Sequence, residues 1–339
     1  VQAFTIPDAE SVGGMEYQLP RGALTEESAL SVVEALRQGG KLTAKSCHRV
    51  LREFFREAKS QKNVCHVKVP EDGCVTVVGD LHGQLTDLYT ILRERGHPSP
   101  SNRFIFNGDF VDRGLQSVEI VLILFAFATV FPDYVFLNRG NHEDLYVSSA
   151  YGFQAEVRRK YDDTTFRMFV ECFRWLPLAT VVEDSVFVVH GGLFDRAGVT
   201  LADLEAIPRW DFAPQEDEGN LASEEGKEKE KLLDLMRGAL WSDPQDADGI
   251  STSARGAGVM FGPDVCREFL RVNGLQMVMR SHECVPVGHV RMFPDEGSPG
   301  RLCTVFSASN YGRSGNMGAV LQLRWRGGGG GGGGGGEGQ

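Results

Sequence analysis

Cysteine, long apolar runs and positive charge are all scarce in this 339-residue sequence. Its seven cysteines, Cys47, Cys65, Cys74, Cys172, Cys266, Cys284 and Cys303, are odd in number and scattered, with no C-x-x-C pair. That pattern fits neither a disulfide framework nor a structural zinc site and points to a reducing compartment. The longest apolar stretch, Val118 to Phe131, contains Glu119 and runs about 14 residues, where a helix needs roughly 20 to cross a bilayer. It reads as a buried helix, and no membrane span is expected. No leader is recognisable, but the chain begins with Val1 rather than Met, so that absence carries little weight. A cytoplasmic location is expected, with a nuclear one also open. Lys and Arg number 35 against 46 Asp and Glu, a net charge of −11. A nucleic-acid binder needs the opposite balance to displace counterions, so nucleic acid is not an expected partner. An anionic substrate stays open, because a bound metal can reverse the local field.

Glycine is abundant, with 41 residues, but ten form the single run Gly327–Gly336. That run can bury nothing, and residues 327–339 are expected to be a flexible tail. At the other end, residues 1–40 read as an extension: a loose lead-in, then a helix from about Leu24 to Gln38 with Thr25 as its N-cap and Gly39-Gly40 as its stop. Residues 41–326 read as the main domain. It opens on a helix capped by Thr43, in which Cys47, Val50, Leu51, Phe54, Phe55 and Ala58 recur at helical spacing. From Val75 onward, short apolar runs end in polar, glycine-containing loops and alternate with helical patterns, which indicates an α/β fold with functional loops at the strand ends. Residues 215–231, rich in Glu and Lys, read as a charged surface insertion.

Five of those loops carry side chains able to bind metal: Gly79-Asp80-Leu81-His82-Gly83, Gly108 to Gly114, Gly140-Asn141-His142-Glu143, His190-Gly191-Gly192 and Arg280-Ser281-His282-Glu283. Carboxylates, imidazoles and an amide without a thiolate suit Mn, Fe or Zn. Two Asp clusters and several His supply enough donors for two adjacent ions. The flanking glycines let the backbone turn sharply beside them.

The motifs G-D-x-H-G, G-D-x-V-D-R-G and G-N-H-E, in this order, resemble those of the phosphoprotein phosphatase (PPP) family of metal-dependent serine/threonine phosphatases. The similarity continues through Leu176-Pro177-Leu178, His190 to Leu193, Trp241-Ser242-Asp243-Pro244, Arg255-Gly256, Arg280 to Glu283 and Ser307 to Tyr311, covering roughly residues 43–324. The resemblance implies a metallophosphoesterase-like sandwich of two mixed β-sheets flanked by helices, with a dimetal site at the C-terminal ends of the strands. It implies one ion held by Asp80, His82 and Asp109, and a second held by Asp109, Asn141, His190 and His282. By the same resemblance a metal-bridging hydroxide attacks the phosphoryl group directly, His142 is the general acid and Asp112 orients it. Arg113, Arg255 and Tyr311 would contact the phosphate, and the substrates would be phosphoproteins carrying phosphoserine or phosphothreonine. The alternative is a small-molecule or nucleotide phosphoesterase built on the same metal core.

Asn138-Arg139, His282-Glu283-Cys284 and Ser309, where many members have proline, are similar to the branch of the family with EF-hands. No EF-hand is present: in the segment Pro244 to Arg255 the first and last ligand positions are Pro and Arg. A regulatory subunit or a calcium-sensor partner is the corresponding expectation. Gly312 and Arg313 depart from the family pattern beside Tyr311. His48, His66, His97 and His289 read as surface, loop or strand-end residues, and Cys284 as a packed thiol.

Overall fold

The computed structural model describes residues 15–211, 224–294 and 300–325. The lead-in through residue 14, most of the charged segment and the glycine tail lie outside these residues. Two mixed sheets form the centre. The first has four strands, in the order Val320–Leu323, Cys74–Val78, Asn102–Phe106, Val135–Leu137, parallel except for the first. The second has six, in the order His289–Met292, Leu302–Val305, Met277–Arg280, Val186–Val189, Ala179–Val182, Val64–Val67.

Strand alternation builds the layers. Ile105 points into a core shared by both sheets with Val75, Val77, Val188, Met279 and Val305, while its neighbours Phe104 and Phe106 face the helices. On the helical side lie Glu26–Arg37, Ala44–Ala58, Leu85–Arg95, Ser117–Val130 and Asp163–Arg174. Thr25 and Thr43 cap the first two, as their positions predict, each accepting the N–H three residues on. Ser117–Val130 is packed on nearly every side, and Phe125 stacks on Phe54 at 3.7 Å between ring centroids. That explains a helix with no polar face. The other face of the six-stranded sheet is covered by Glu224–Trp241 and Pro263–Asn273, through Met236, Leu240, Phe269 and Leu270. Among the described residues no helix is long and apolar enough to cross a membrane.

His48 is half-buried, with its Nε2 bonded to Thr165 Oγ1 at 2.8 Å, and His66 lies within a strand, exposed beside Asp184. Cys284 differs from expectation: its side chain is exposed at the cleft described next, because the turn after His282 carries it outward.

Candidate active site

Five strands deliver the five loops to one place. Asp80 and His82 follow Cys74–Val78, Asp109 follows Asn102–Phe106, Asn141 follows Val135–Leu137, His190 follows Val186–Val189 and His282 follows Met277–Arg280. The loops touch backbone to backbone. The N–H groups of Leu81 and His82 both donate to the Asp109 carbonyl. A Cβ on Gly108 (φ +86°) would lie 2.5 Å from Gly140 Cα, and one on Gly140 would lie 2.3 Å from Asp109 N, so only glycine fits at the crossing. His82, Asp109, Asp112, Arg113 and His282 all have left-handed φ, between +41° and +70°.

The Asp109 carboxylate is the hub. Its Oδ2 lies 3.4 Å from His82 Nε2, its Oδ1 3.4 Å from His190 Nε2, and Oδ1 also accepts the His142 N–H at 2.9 Å. The ring tautomers follow from the opposite edges. His82 Nδ1 faces the Val111 carbonyl and His190 Nδ1 the Asn107 carbonyl, both at 2.8 Å. A carbonyl only accepts, so both Nδ1 atoms carry protons, and in the neutral ring each Nε2 turns its lone pair toward Asp109. His282 Nδ1 lies 3.2 Å from His190 Nε2, and the Asn141 amide oxygen 3.0 Å from it. Asp80 Oδ2 is 3.6 Å from His82 Nε2. Lone pairs therefore converge with too few protons among them, which is the arrangement a cation satisfies. Two clusters with metal-ligand spacing share Asp109: His82 with His142, and His190 with His282. The Asn141 amide can serve two ways, oxygen inward on a cation or rotated so that its NH₂ donates to His190 and His282.

Burial opposes the Asp109 charge, but the imidazoles of His190 and His142 outweigh it and hold the carboxyl well below its usual range. Burial likewise opposes a charged His190, yet Asp109 pushes it up to about 9. Burial, then the Asp109 charge, push Asp80 up to about 7. Burial brings His82 down to about 3 and holds His282 well below its ordinary value. A proton on His190 and a cation in its place compete for the same lone pair.

Beside this hub His142 Nδ1 bonds Asp112 Oδ2 at 2.6 Å, and Asp112 Oδ1 accepts the Phe153 N–H at 2.8 Å. Burial opposes a charged His142, but Asp109 and Asp112 raise its pKa. Its Nε2 lies 3.9 Å from Asp109 Oδ2, and the residue lines an open cleft of about 490 Å³ together with Arg113, Tyr151, Trp241, Arg255 and Tyr311. The Arg113 guanidinium lies 4.1 Å above the Tyr151 ring. Arg255 Nε donates to Asp243 Oδ2 at 2.5 Å, and the other Asp243 oxygen accepts from the fully buried Arg280 at 2.7 Å. The Tyr311 ring stacks on His82 at 5.0 Å between centroids.

Nine of the eleven residues singled out from the sequence line one cleft, and the other two, Asp112 and His190, lie buried behind it against His142 and Asp109. Sequence reasoning assigned no role to the residues that hold them. Glu143, fully buried, accepts the N–H groups of Asp109, Phe110 and Gly140 at 2.8–2.9 Å. Asp243 and Arg280 anchor Arg255, and Tyr151 stacks under Arg113. Glu143, Asp243 and Arg280 lie inside the motifs quoted above, which was the available signal.

A family model described as calcineurin-like phosphoesterase matches residues 75–286. Serine/threonine-protein phosphatase T of Schizosaccharomyces pombe is 40% identical over 302 residues, covering 89% of this chain and 60% of that protein. Human serine/threonine-protein phosphatase 5 is 37% identical over 328 residues, covering 96% and 60%. This chain therefore spans 60% of the length of each of these two curated relatives. A solved Saccharomyces cerevisiae protein serine/threonine phosphatase, described as similar to human phosphatase PP5, superposes with a TM-score of 0.75 at 35% identity, covering 85% of this chain and 84% of its own. The family implies a dimetal site, and the clusters around Asp109 are candidate ligand sets for it. On these similarities and this geometry, the chain belongs to the calcineurin-like phosphoesterases, in their serine/threonine phosphatase group.

Proposed function

We propose that the protein hydrolyses phosphoserine and phosphothreonine in phosphoprotein substrates, using two metal ions. The observation that carries this reading is the convergence of lone pairs on Asp109 directly beside the His142–Asp112 pair, at the floor of a cleft bordered by Arg113 and Arg255. One ion would be held by Asp80, His82 and Asp109, the other by Asp109, Asn141, His190 and His282. Oxygen and imidazole donors without thiolate favour Mn, Fe or Zn. Bound there, two ions supply Lewis-acid charge to the phosphoryl oxygens and an activated water at neutral pH.

The chain's own side chains do the rest. Arg113 and Arg255 bind the phosphate, since a guanidinium fork matches paired anionic oxygens. Asp243 fixes Arg255 through its Nε, and Nη2 donates to the His282 carbonyl at 3.4 Å, which sets the guanidinium beside the cleft. Asp112 accepts from His142 Nδ1, so the transferable proton sits on Nε2, facing the departing serine or threonine oxygen. Against the opposing burial, Asp109 and Asp112 raise the pKa of that ring, which favours the proton the step needs. Tyr311, stacked on His82, offers its hydroxyl as a further phosphate contact. Burial pushes that hydroxyl up to about 12, so it stays a donor. Control by a regulatory subunit or calcium-sensor partner belongs to the same proposal and rests on the sequence resemblance, and action in the cytoplasm or nucleus rests on the odd, scattered cysteines.

The test is hydrolysis by the purified chain in Mn²⁺, Mg²⁺ and Ca²⁺, with metal content measured on the same sample. The expected result is a higher kcat/KM on a phosphoserine or phosphothreonine peptide than on a nucleotide. A clear preference for the nucleotide would establish the small-molecule alternative instead.

A further inference from the structure

The loop carrying Tyr311 is an unstable shape held by particular bonds. Asn310, Gly312, Arg313 and Gly315 all have left-handed φ, from +48° to +75°. Inside the loop, Asn316 is buried. Its Nδ2 donates to the Ala308 carbonyl at 2.8 Å, while its Oδ1 accepts the Tyr311 N–H at 2.7 Å and the Ser314 hydroxyl at 2.8 Å. Those bonds fix the shape of the loop but not its seat on the rest of the molecule. Its two ends are tied at Ser307, which accepts the Gly79 N–H, and at Met317, which donates to the Pro286 carbonyl.

Between these ends one side chain from elsewhere grips the loop twice. Asp87 Oδ2 accepts the Ser309 N–H and Oδ1 accepts the Ser309 hydroxyl, both at 2.8 Å. Asp87 sits in the first turn of helix Leu85–Arg95, which has no side-chain N-cap bond and begins three residues after His82. The helix dipole favours its negative charge there. Tyr311 comes two residues after Ser309 and stacks on His82. The contacts therefore close a small ring: from His82 along the chain to Asp87, across to Ser309, on to Tyr311, and back to the His82 face. A proline at 309 would lack both donors.

We propose that Asp87 and Ser309 form a positioning latch that seats Tyr311 against His82 at the phosphate end of the cleft. The latch acts through Tyr311. Its effect on substrate rests on the phosphatase reading, whereas its effect on the loop does not. The test compares wild type, Asp87→Ala, Ser309→Ala, Tyr311→Ala and the Asp87→Ala/Tyr311→Ala double variant, all loaded with Mn²⁺. Three quantities are read: amide hydrogen exchange across 307–316, calorimetric binding of inorganic phosphate, and KM and kcat on a phosphopeptide.

Asp87→Ala is expected to speed exchange at Ser309 and Tyr311 and to weaken phosphate binding, each by about tenfold, with KM rising more than kcat falls. Ser309→Ala, which keeps the N–H, should show the same pattern in smaller measure, and it carries the test if Asp87→Ala does not fold. With Tyr311 already removed, losing Asp87 should change phosphate binding by less than about twofold. Equal weakening with and without Tyr311, or unchanged exchange in both latch variants, overturns the proposal. If the wild type leaves the phosphopeptide intact, the phosphatase reading fails, and the exchange and phosphate arms still judge the latch.

Discussion

Replacing Glu143 by glutamine removes one charge from beneath the site while touching no residue that would meet substrate. Glu143 Oε2 accepts the N–H groups of Asp109 and Gly140 at 2.8 and 2.9 Å, and Oε1 accepts that of Phe110 at 2.8 Å. Burial and the Asp109 charge push this carboxyl up to about 7, while the N–H groups pull it back toward the ionised form. A glutamine can keep its oxygen on the side with two donors, but its NH₂ then faces the Phe110 N–H, donor against donor. One buried N–H and the new NH₂ are left unsatisfied, at about 1–3 kcal/mol each. Removing a buried charge recovers part of that cost, so the net loss should be about 2–4 kcal/mol.

The loss should appear in urea unfolding as a lower midpoint with an unchanged m-value. Because the released segments carry Asp109 and Asn141, affinity for Mn²⁺ should fall by about 10–100-fold, as when the support of a ligand is removed. A stability change below about 0.5 kcal/mol together with unaltered Mn²⁺ affinity would refute the claim that this carboxylate holds the two loops at their crossing.

His142→Ala should retain its metal, by elemental analysis, and lose about 10²–10⁴-fold in kcat; turnover near wild type would rule out His142 as the acid. Asp112 helps raise the His142 pKa, so kcat should fall as pH climbs through that raised value. Asp112→Asn withdraws the charge and should move this alkaline fall to lower pH, and an unmoved limb would assign it to another group. Gly140→Ala places a Cβ 2.3 Å from Asp109 N and Oδ1 and should abolish tight Mn²⁺ binding; a variant that still binds Mn²⁺ like wild type would show that the loops can part.

Much of this architecture was legible because it is local. Val75, Val77 and Ile105 read as strand because buried strands are apolar on both faces, and Val118–Phe131 read as a buried helix because packing on every side leaves no polar stripe. The proposed ligands were legible because each sits in a short motif at a strand end, all but His282 beside a glycine. Other features depend on distance. Glu143 meets Asp109 and Phe110 across 34 and 33 residues, and Asp87 meets Ser309 across 222. No period or propensity encodes such a pairing. Cys284 differs from expectation for the same reason: a thiol two residues after a buried histidine reads as packed until the turn directs it outward.

The left-handed residues show why the supports matter as much as the ligands. Local preference puts His82, Asp109, Asp112, Arg113 and His282 in right-handed or extended backbone, and holding each at positive φ costs on the order of 1–3 kcal/mol. No glycine is available at these positions, because each must carry the side chain that does the work. The offset therefore comes from outside each loop: the Asp109 carbonyl takes two N–H groups from the Asp80–His82 turn, Glu143 takes those of Asp109 and Phe110, Asp112 takes that of Phe153, and Asp80 Oδ1 takes that of His282. Each loop is strained alone and satisfied only by its neighbours, so the site forms as a unit. Loss of a single bridging acceptor should loosen several ligands together. Gly140 and Glu143, which touch no substrate, are accordingly under stricter steric and hydrogen-bonding terms than Arg113, whose exposed guanidinium rests on the face of Tyr151.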